Sequence, residues 1–425
     1  MNAQLTRRGW LAAAASSPLV GWLTALAETP GRPRACILLW MSGGPAQTDT
    51  FDLKTGHKNG GPFAPSATAM PGIQISEHLP KVAEQMKRLA IVRSMKTQEG
   101  DHGRATYHLR TGYQQQGPID YPSVGAALAK ELGDPAADLP GFISVAPTRG
   151  VNPAAYGAGF LGPRFAPLVV GTQNEVGVVE RALQVQDLLP APGVQPAQAE
   201  ARMGLLAEQN RGFLANHPDA GPLSHKAAYR RAERLMKATA ARAFKLDEEP
   251  AALRDRYGRS LFGQGCLLAR RLVERGVPFV EVALSGWDTH IQNFDAVKRL
   301  SGTLDPAWAT LMQDLAQRGL LDTTLVIWMG EFGRTPQING QVGRDHFPSA
   351  WTAVLGGAGV KGGQVVGKTS ADGTTVEERP VSVPDFMATV CRALGVDPEK
   401  QNLSNVGRPI RLADAGAKPV AEILS

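Results

Sequence analysis

Carboxylates and imidazoles recur in short, glycine-flanked clusters along the chain: Asp49 and Asp52 in SGGPAQTDTFD, Asp101 and His102 in EGDHGRATYHLRTG, Asp288 and His290 in SGWDTH, Glu331 in GEFGRT, and Asp345 with His346 in GRDHF. Both groups present unprotonated donors at neutral pH without redox chemistry, so together they suit a divalent cation such as zinc, manganese or calcium. Such a cation brings the pKa of a coordinated water towards ~7 and polarises a phosphoryl or sulfuryl oxygen. Arg334 and Arg344 add forked donors that suit an anionic group. Plainer readings exist: Asp288 and His290 as helix caps, Asp49 as an Asx-turn former, His102 as an exposed helix start, and the arginines in salt bridges with neighbouring aspartates. His57, His78, His217 and His225 have no such companions and read as surface.

The elements that must position these residues are legible as apolar runs. Ala35 to Met41, Leu89 to Met95, Phe142 to Ala146, Phe279 to Leu284, Leu325 to Met329 and Thr352 to Leu355 read as strands. Helical spacing fits Leu79 to Arg88, Arg104 to Arg110, Ser123 to Leu132, Leu261 to Arg275, Pro306 to Arg318 and Pro384 to Leu394, with a Gly-rich, hairpin-like stretch after Leu355. Alternation of this kind predicts an α/β fold with a mainly parallel central sheet and helices on both faces. From about 194 to 256 the chain is rich in Ala, Arg and Glu and predicts a helical insertion. Ligands of such sheets bind beyond the carboxyl ends of the strands, and Asp49, His102, Asp288, His290, Glu331 and His346 all follow strands.

The composition bounds the rest. With 425 residues, 43% of them hydrophobic, the chain can bury a large core. The balance of 45 Lys and Arg against 39 Asp and Glu is scattered, so neither a nucleic-acid stripe nor a membrane surface is indicated. Cys36, Cys266 and Cys391 are far apart and read as buried apolar residues. Gly43 and Gly44 lie in neither a GxxxxGK[ST] nor a GxGxxG match, which speaks against a phosphate cradle there, and no GxSxG occurs, which speaks against an ordinary α/β hydrolase. Arg7 and Arg8, followed by an Ala-rich run ending at Ala27, read as a twin-arginine signal peptide over residues 1–27. The mature chain, from near Glu28, is expected outside the cytoplasm, delivered by the twin-arginine export machinery, with no stable membrane span.

The blocks SGGPAQTDTFDLK, GDHGRATYHLRTGY, GWDTH, EFGRTP, GRDHFP and VSVPDFMATVCRALGV, in this order, resemble the exported bacterial family called domain of unknown function 1501. That family is similar to the alkaline phosphatase and sulfatase superfamily. The resemblance implies an alkaline phosphatase-like domain over residues 28–425, with metal ligands at Asp49, Asp288, His290, Glu331 and His346. The spacing departs from the superfamily: Asp288-x-His290 replaces Asp-x-x-x-His, Glu331-Phe332 replaces Asp-His, and Asp101-His102-Gly103 stands where a hydroxyl nucleophile belongs. Ser94 and Thr106 are fallback nucleophiles. The implied activity is metal-dependent hydrolysis of a phosphate or sulfate ester, on an anionic small molecule or polysaccharide. Metal-activated water attacks, with His102 as ligand or proton carrier and Arg334 and Arg344 assisting. The alternative is a catalytically degenerate relative that binds a glycan or an exported protein partner.

Overall fold

The computed structural model describes residues 34–173, 179–185, 188, 193–216, 226, 229–230, 232–236 and 238–425. The signal-peptide reading, His217 and His225 lie outside them.

The run ACILLWMS forms the fully buried strand β1 (Ala35–Ser42). Its alternating side chains feed two separate cores, Ile37, Leu39 and Met41 into one and Cys36, Leu38 and Trp40 into the other. A strand apolar on both faces must be covered on both. The strands that follow are β2 (Leu89–Met95), β3 (Phe142–Val145), β4 (Leu168–Val170), β5 (Phe279–Ser285), β6 (Thr324–Met329), β7 (Trp351–Gly357) and β8 (Gln364–Val366). They join in the order β8-β2-β7-β6-β1-β5-β3-β4. β1 pairs in parallel with β5, Ser42 opposite Ser285, and with β6, Trp40 opposite Met329. Only β7 runs antiparallel, against both β2 and β6. The mainly parallel α/β sheet is thus present.

Helices α1 (His102–Thr111), α2 (Val124–Leu132), α3 (Leu261–Glu274), α4 (Asn293–Gln317) and α5 (Val383–Ala393) cover the sheet. Leu267, Leu268 and Leu272 of α3 and Trp308 and Leu311 of α4 pack with Ile37 and Leu39. Leu109, Ala126, Phe386 and Val390, from α1, α2 and α5, pack with Leu38 and Trp40 on the opposite face.

Two boundaries differ from expectation. Helical spacing starts a helix at Pro306, whereas α4 begins at Asn293 and carries Pro306 in its interior. Val297, Leu300 and Leu304 extend the buried stripe upstream and offset the missing hydrogen bond. The Gly-rich stretch after β7 is a hairpin only in part: β8 first crosses to pair in parallel with β2 at the sheet edge, and Lys368–Thr369 then pairs antiparallel with Val376–Glu378. Within the 194–256 segment, helices span Pro196–Asn216, Ala238–Ala241 and Ala251–Tyr257. All three cysteines are buried and free. No helix among the described residues is long and apolar enough to cross a membrane.

Candidate metal centre

At the carboxyl ends of β1, β5 and β6 the loops are pressed together. Gly43, with φ 111°, lies so close to the next loop that a Cβ there would meet the Asp288 backbone nitrogen at 2.2 Å. The Gly43 amide donates to Glu331 Oε1 at 2.8 Å, tying the β1 loop to the end of β6. Beyond Glu331 a two-residue antiparallel ladder sets His346 opposite Arg334 and returns the imidazole to the same spot. Asp101 caps α1 by accepting from the Arg104 amide at 3.0 Å, which fixes His102 in the first turn.

His102, His290 and His346 share one pattern. The Nδ1 of His102 faces Glu331 Oε1 at 2.7 Å, that of His290 faces Asp345 Oδ1 at 2.7 Å, and that of His346 faces the Gly100 carbonyl at 2.8 Å. Each partner only accepts, so these contacts assign the proton to Nδ1 and leave a lone pair on Nε2 in every ring. The Nε2 atoms nevertheless converge. Those of His290 and His346 lie 3.0 Å apart, and Asp288 Oδ1 lies 3.1 Å from His290 Nε2, 3.3 Å from His102 Nε2 and 3.4 Å from His346 Nε2. His102 Nε2 is buried without a hydrogen-bond partner.

Lone pairs and a carboxylate aimed at one another repel unless a positive charge joins them. Neighbouring N and O ligands on a tetrahedral cation with bonds of ~2.0–2.2 Å stand roughly 3.3–3.6 Å apart, close to the spacing seen. A carboxylate or carbonyl behind each ring is also how metal-ligating imidazoles are held in orientation. His102, Asp288 and His346, whose donor atoms all lie within 4.8 Å of one another, therefore fit a divalent cation, with His290 close to two of them.

The electrostatics agree. Burial works against the charge on Asp288, but Arg334, through its charge and a hydrogen bond to Oδ1, holds the carboxyl below its usual range. Burial also opposes a charged His102, yet the Glu331 bond and charge, with Asp288, raise its pKa. Burial lowers that of His346 despite the Gly100 contact. The site opens outwards, with the side chains of Asp288 and His290 47% and 41% exposed.

Other expected residues take different places. Asp49 is buried away from the donors, accepting from Arg344 Nε at 2.7 Å, Arg344 Nη2 at 2.8 Å and Asn293 Nδ2 at 2.7 Å. Arg344 spends its remaining donors on the carbonyls of Asn59, Thr335 and Pro336. This pair is a buried strut between the β1 loop and the ladder, not part of the converging set. Glu331 stands behind His102. Arg334 reaches the site through Asp288 and otherwise binds the carbonyls of Gly43, Gly44 and Arg344. Ser94 Oγ donates to the Arg379 carbonyl. Among the described residues no serine or threonine hydroxyl bonds to the four donors. The support of His290 by Asp345 and of His346 by Gly100 was not foreseen, although an aspartate directly before His346 was a usable signal.

The sheet and this rim define an α/β protein with a candidate metal centre at its strand ends. The family of proteins of unknown function designated DUF1501 matches residues 33–424, and the chain belongs to it. A comparison with curated proteins gave no match. Among solved structures the chain is similar to a protein of the alkaline phosphatase superfamily from Vibrio parahaemolyticus, at 14% identity and TM-score 0.38, covering 86% of this chain and 67% of that one. It is also similar to the lipoteichoic acid synthase LtaP from Listeria monocytogenes, at 10% identity and TM-score 0.42, over 90% of this chain and 74% of that one. A third is the C-terminal periplasmic domain of EcEptC from Escherichia coli in complex with Zn, at 10% identity and TM-score 0.42, over 93% and 96%.

Proposed function

We infer that this chain is a metal-dependent hydrolase of a phosphate or sulfate ester that works outside the cytoplasm after twin-arginine export. The observation carrying this reading is the meeting of His102, His290 and His346 Nε2 with Asp288 Oδ1, each ring supported from behind. Three imidazoles and one carboxylate suit zinc or manganese better than calcium, which takes six to eight oxygen ligands. When bound, such an ion lowers the pKa of water towards ~7 and polarises an ester oxygen.

The chain's own residues hold and orient. His102, His290 and His346 offer Nε2, Asp288 offers Oδ1, and Arg334 holds Asp288 in place while offsetting its charge. Glu331 and Asp345 keep the imidazole protons on Nδ1. The exposed side of Asp288 and His290 is where an anionic ester, free or on a polysaccharide, would meet the centre. With no serine or threonine hydroxyl bonded to the donors among the described residues, water is the economical nucleophile.

The same missing hydroxyl favours the second reading, a relative that binds a glycan or an exported protein without turnover. Assays of the zinc- and manganese-loaded protein on phosphate and sulfate ester panels separate the two. Turnover abolished by Asp288→Ala in a folded protein supports the hydrolase; metal-loaded protein that binds esters and never cleaves them supports the binder.

A further inference from the structure

The three imidazoles are not held from behind in equal ways. Glu331, behind His102, is buried, its side chain 2% exposed, and the partner of His346 is a main-chain carbonyl. His290 depends instead on Asp345, whose side chain is 54% exposed, and its own ring is 41% exposed. Packing fixes neither side chain, and an exposed pair of this kind contributes little order by itself.

What ties the two together is a side chain from the loop that joins the halves of the ladder. Asn339 Nδ2 donates to Asp345 Oδ1 at 3.2 Å and to the His290 carbonyl at 3.0 Å, while Asn339 Oδ1 accepts from the amides of Gln341 and Gly343, both at 2.9 Å. Two donated and two accepted bonds exhaust what a side-chain amide offers. Its orientation is also fixed, because a flipped amide would turn its oxygen on two acceptors and its nitrogen on two donors. A single nitrogen thus grips both the main chain of His290 and the carboxylate that orients its ring.

Backbone contacts close the two loops around this grip. A Cβ at Gly343 would overlap the His290 carbonyl, so the loops lie in direct contact. The Gln292 amide donates to the Gln341 carbonyl at 3.2 Å, and the Asn293 amide to that of Val342 at 3.0 Å. Gln292 and Val342 stand at φ 50° and 57°, a left-handed backbone that is a genuine outlier for a β-branched valine. Such conformations persist where the surrounding contacts over-determine them.

We propose that Asn339 is a positioning residue for the candidate metal centre: it locks Asp345 onto His290 Nδ1 and so aims His290 Nε2 at Asp288 and His346. It supplies to this imidazole the order that burial of Glu331 supplies to His102. The consequence for metal rests on the hydrolase reading above; the effect on the His290 ring does not.

The test uses the full chain, metal-free, with 15N-labelled histidine. The hydrogen-bonded Nδ1 protons of His102, His290 and His346 are followed as low-field NMR signals, that of His290 assigned by its loss in Asp345→Ala. Asn339→Ala is expected to remove or shift the His290 signal and leave those of His102 and His346 in place. If Asn339→Ala does not fold, Asn339→Asp, which keeps an acceptor for the Gln341 and Gly343 amides and loses the donor, reads the same effect. An unmoved His290 signal beside a lowered melting temperature makes Asn339 a loop residue and overturns the proposal. Equal movement of all three signals, or a wild-type His290 proton that exchanges too fast to be seen, overturns it as well. Zinc titration gives the second readout: Asn339→Ala weakens binding by about 10–100-fold, the range for loss of an outer-shell partner, and by less in the Asp345→Ala background. Additive losses overturn the proposal. A wild-type protein that binds no zinc sinks the hydrolase reading while the NMR result still decides the role of Asn339.

Discussion

His290 and His346 bring their Nε2 atoms to 3.0 Å while their Nδ1 atoms face Asp345 Oδ1 and the Gly100 carbonyl on the far sides of the rings. Two neutral imidazoles gain nothing from such an approach, because neither has a hydrogen to share along the short contact. A cation between them turns the repulsion into ligation.

Asp345 never needs to touch the ion to matter. Asp345→Asn can no longer offer a full charge to His290 Nδ1, and zinc affinity measured by calorimetry is expected to drop about 10–100-fold with an unchanged melting profile. An unaltered affinity would detach Asp345 from the centre.

The Asp49–Arg344 pair is expected to behave in the opposite way. Both side chains are fully buried and bonded in two places, so Asp49→Ala strands a guanidinium and should destabilise the fold by about 3–5 kcal/mol in denaturant titrations. Asp288→Ala, by contrast, should keep stability and lose metal. Equal metal loss at matched stability in both variants would put Asp49 back among the ligands.

Gly43→Ala tests how tightly the loops are stacked. A Cβ 2.2 Å from the Asp288 nitrogen, on a backbone at φ 111°, forces the β1 and β5 loops apart. Metal uptake should fail in this variant while far-ultraviolet circular dichroism retains the sheet and helices.

Acid stability should depend on Glu249. Burial pushes its pKa up, but hydrogen bonds and charges from Arg270 and Arg271 win and hold it below the ordinary 4.5. A depressed carboxyl stabilises the fold above its unfolded value and loses that contribution as pH falls through its folded value. Thermal melts of the wild type should therefore fall below pH 4.5, and Glu249→Gln should start lower and show a flatter acid limb. Parallel acid limbs would remove Glu249 as the cause.

The sheet was readable because its central strands are apolar on both faces, as in ILLWM and LVIWM, with glycine at their ends. The same logic located Asp288, His290, Glu331 and His346, each on a short tether to a strand end or ladder. Asp49 was harder, because six residues separate it from β1 and it closes a 3-10 turn that sends its carboxylate towards Arg344. Periodicity likewise said nothing of Arg110 and Glu281, which meet only when α1 folds onto β5. The start of α4 was hidden because a proline that normally opens helices sits in the middle of this one.

Elemental analysis of the purified protein, paired with anomalous scattering from a crystal of it, addresses the metal centre most directly. The expected result is a divalent ion bound by His102, His290, His346 and Asp288, lost together with ester hydrolysis in His290→Ala/His346→Ala. A folded wild-type protein that carries no cation and takes up neither zinc nor manganese would contradict it.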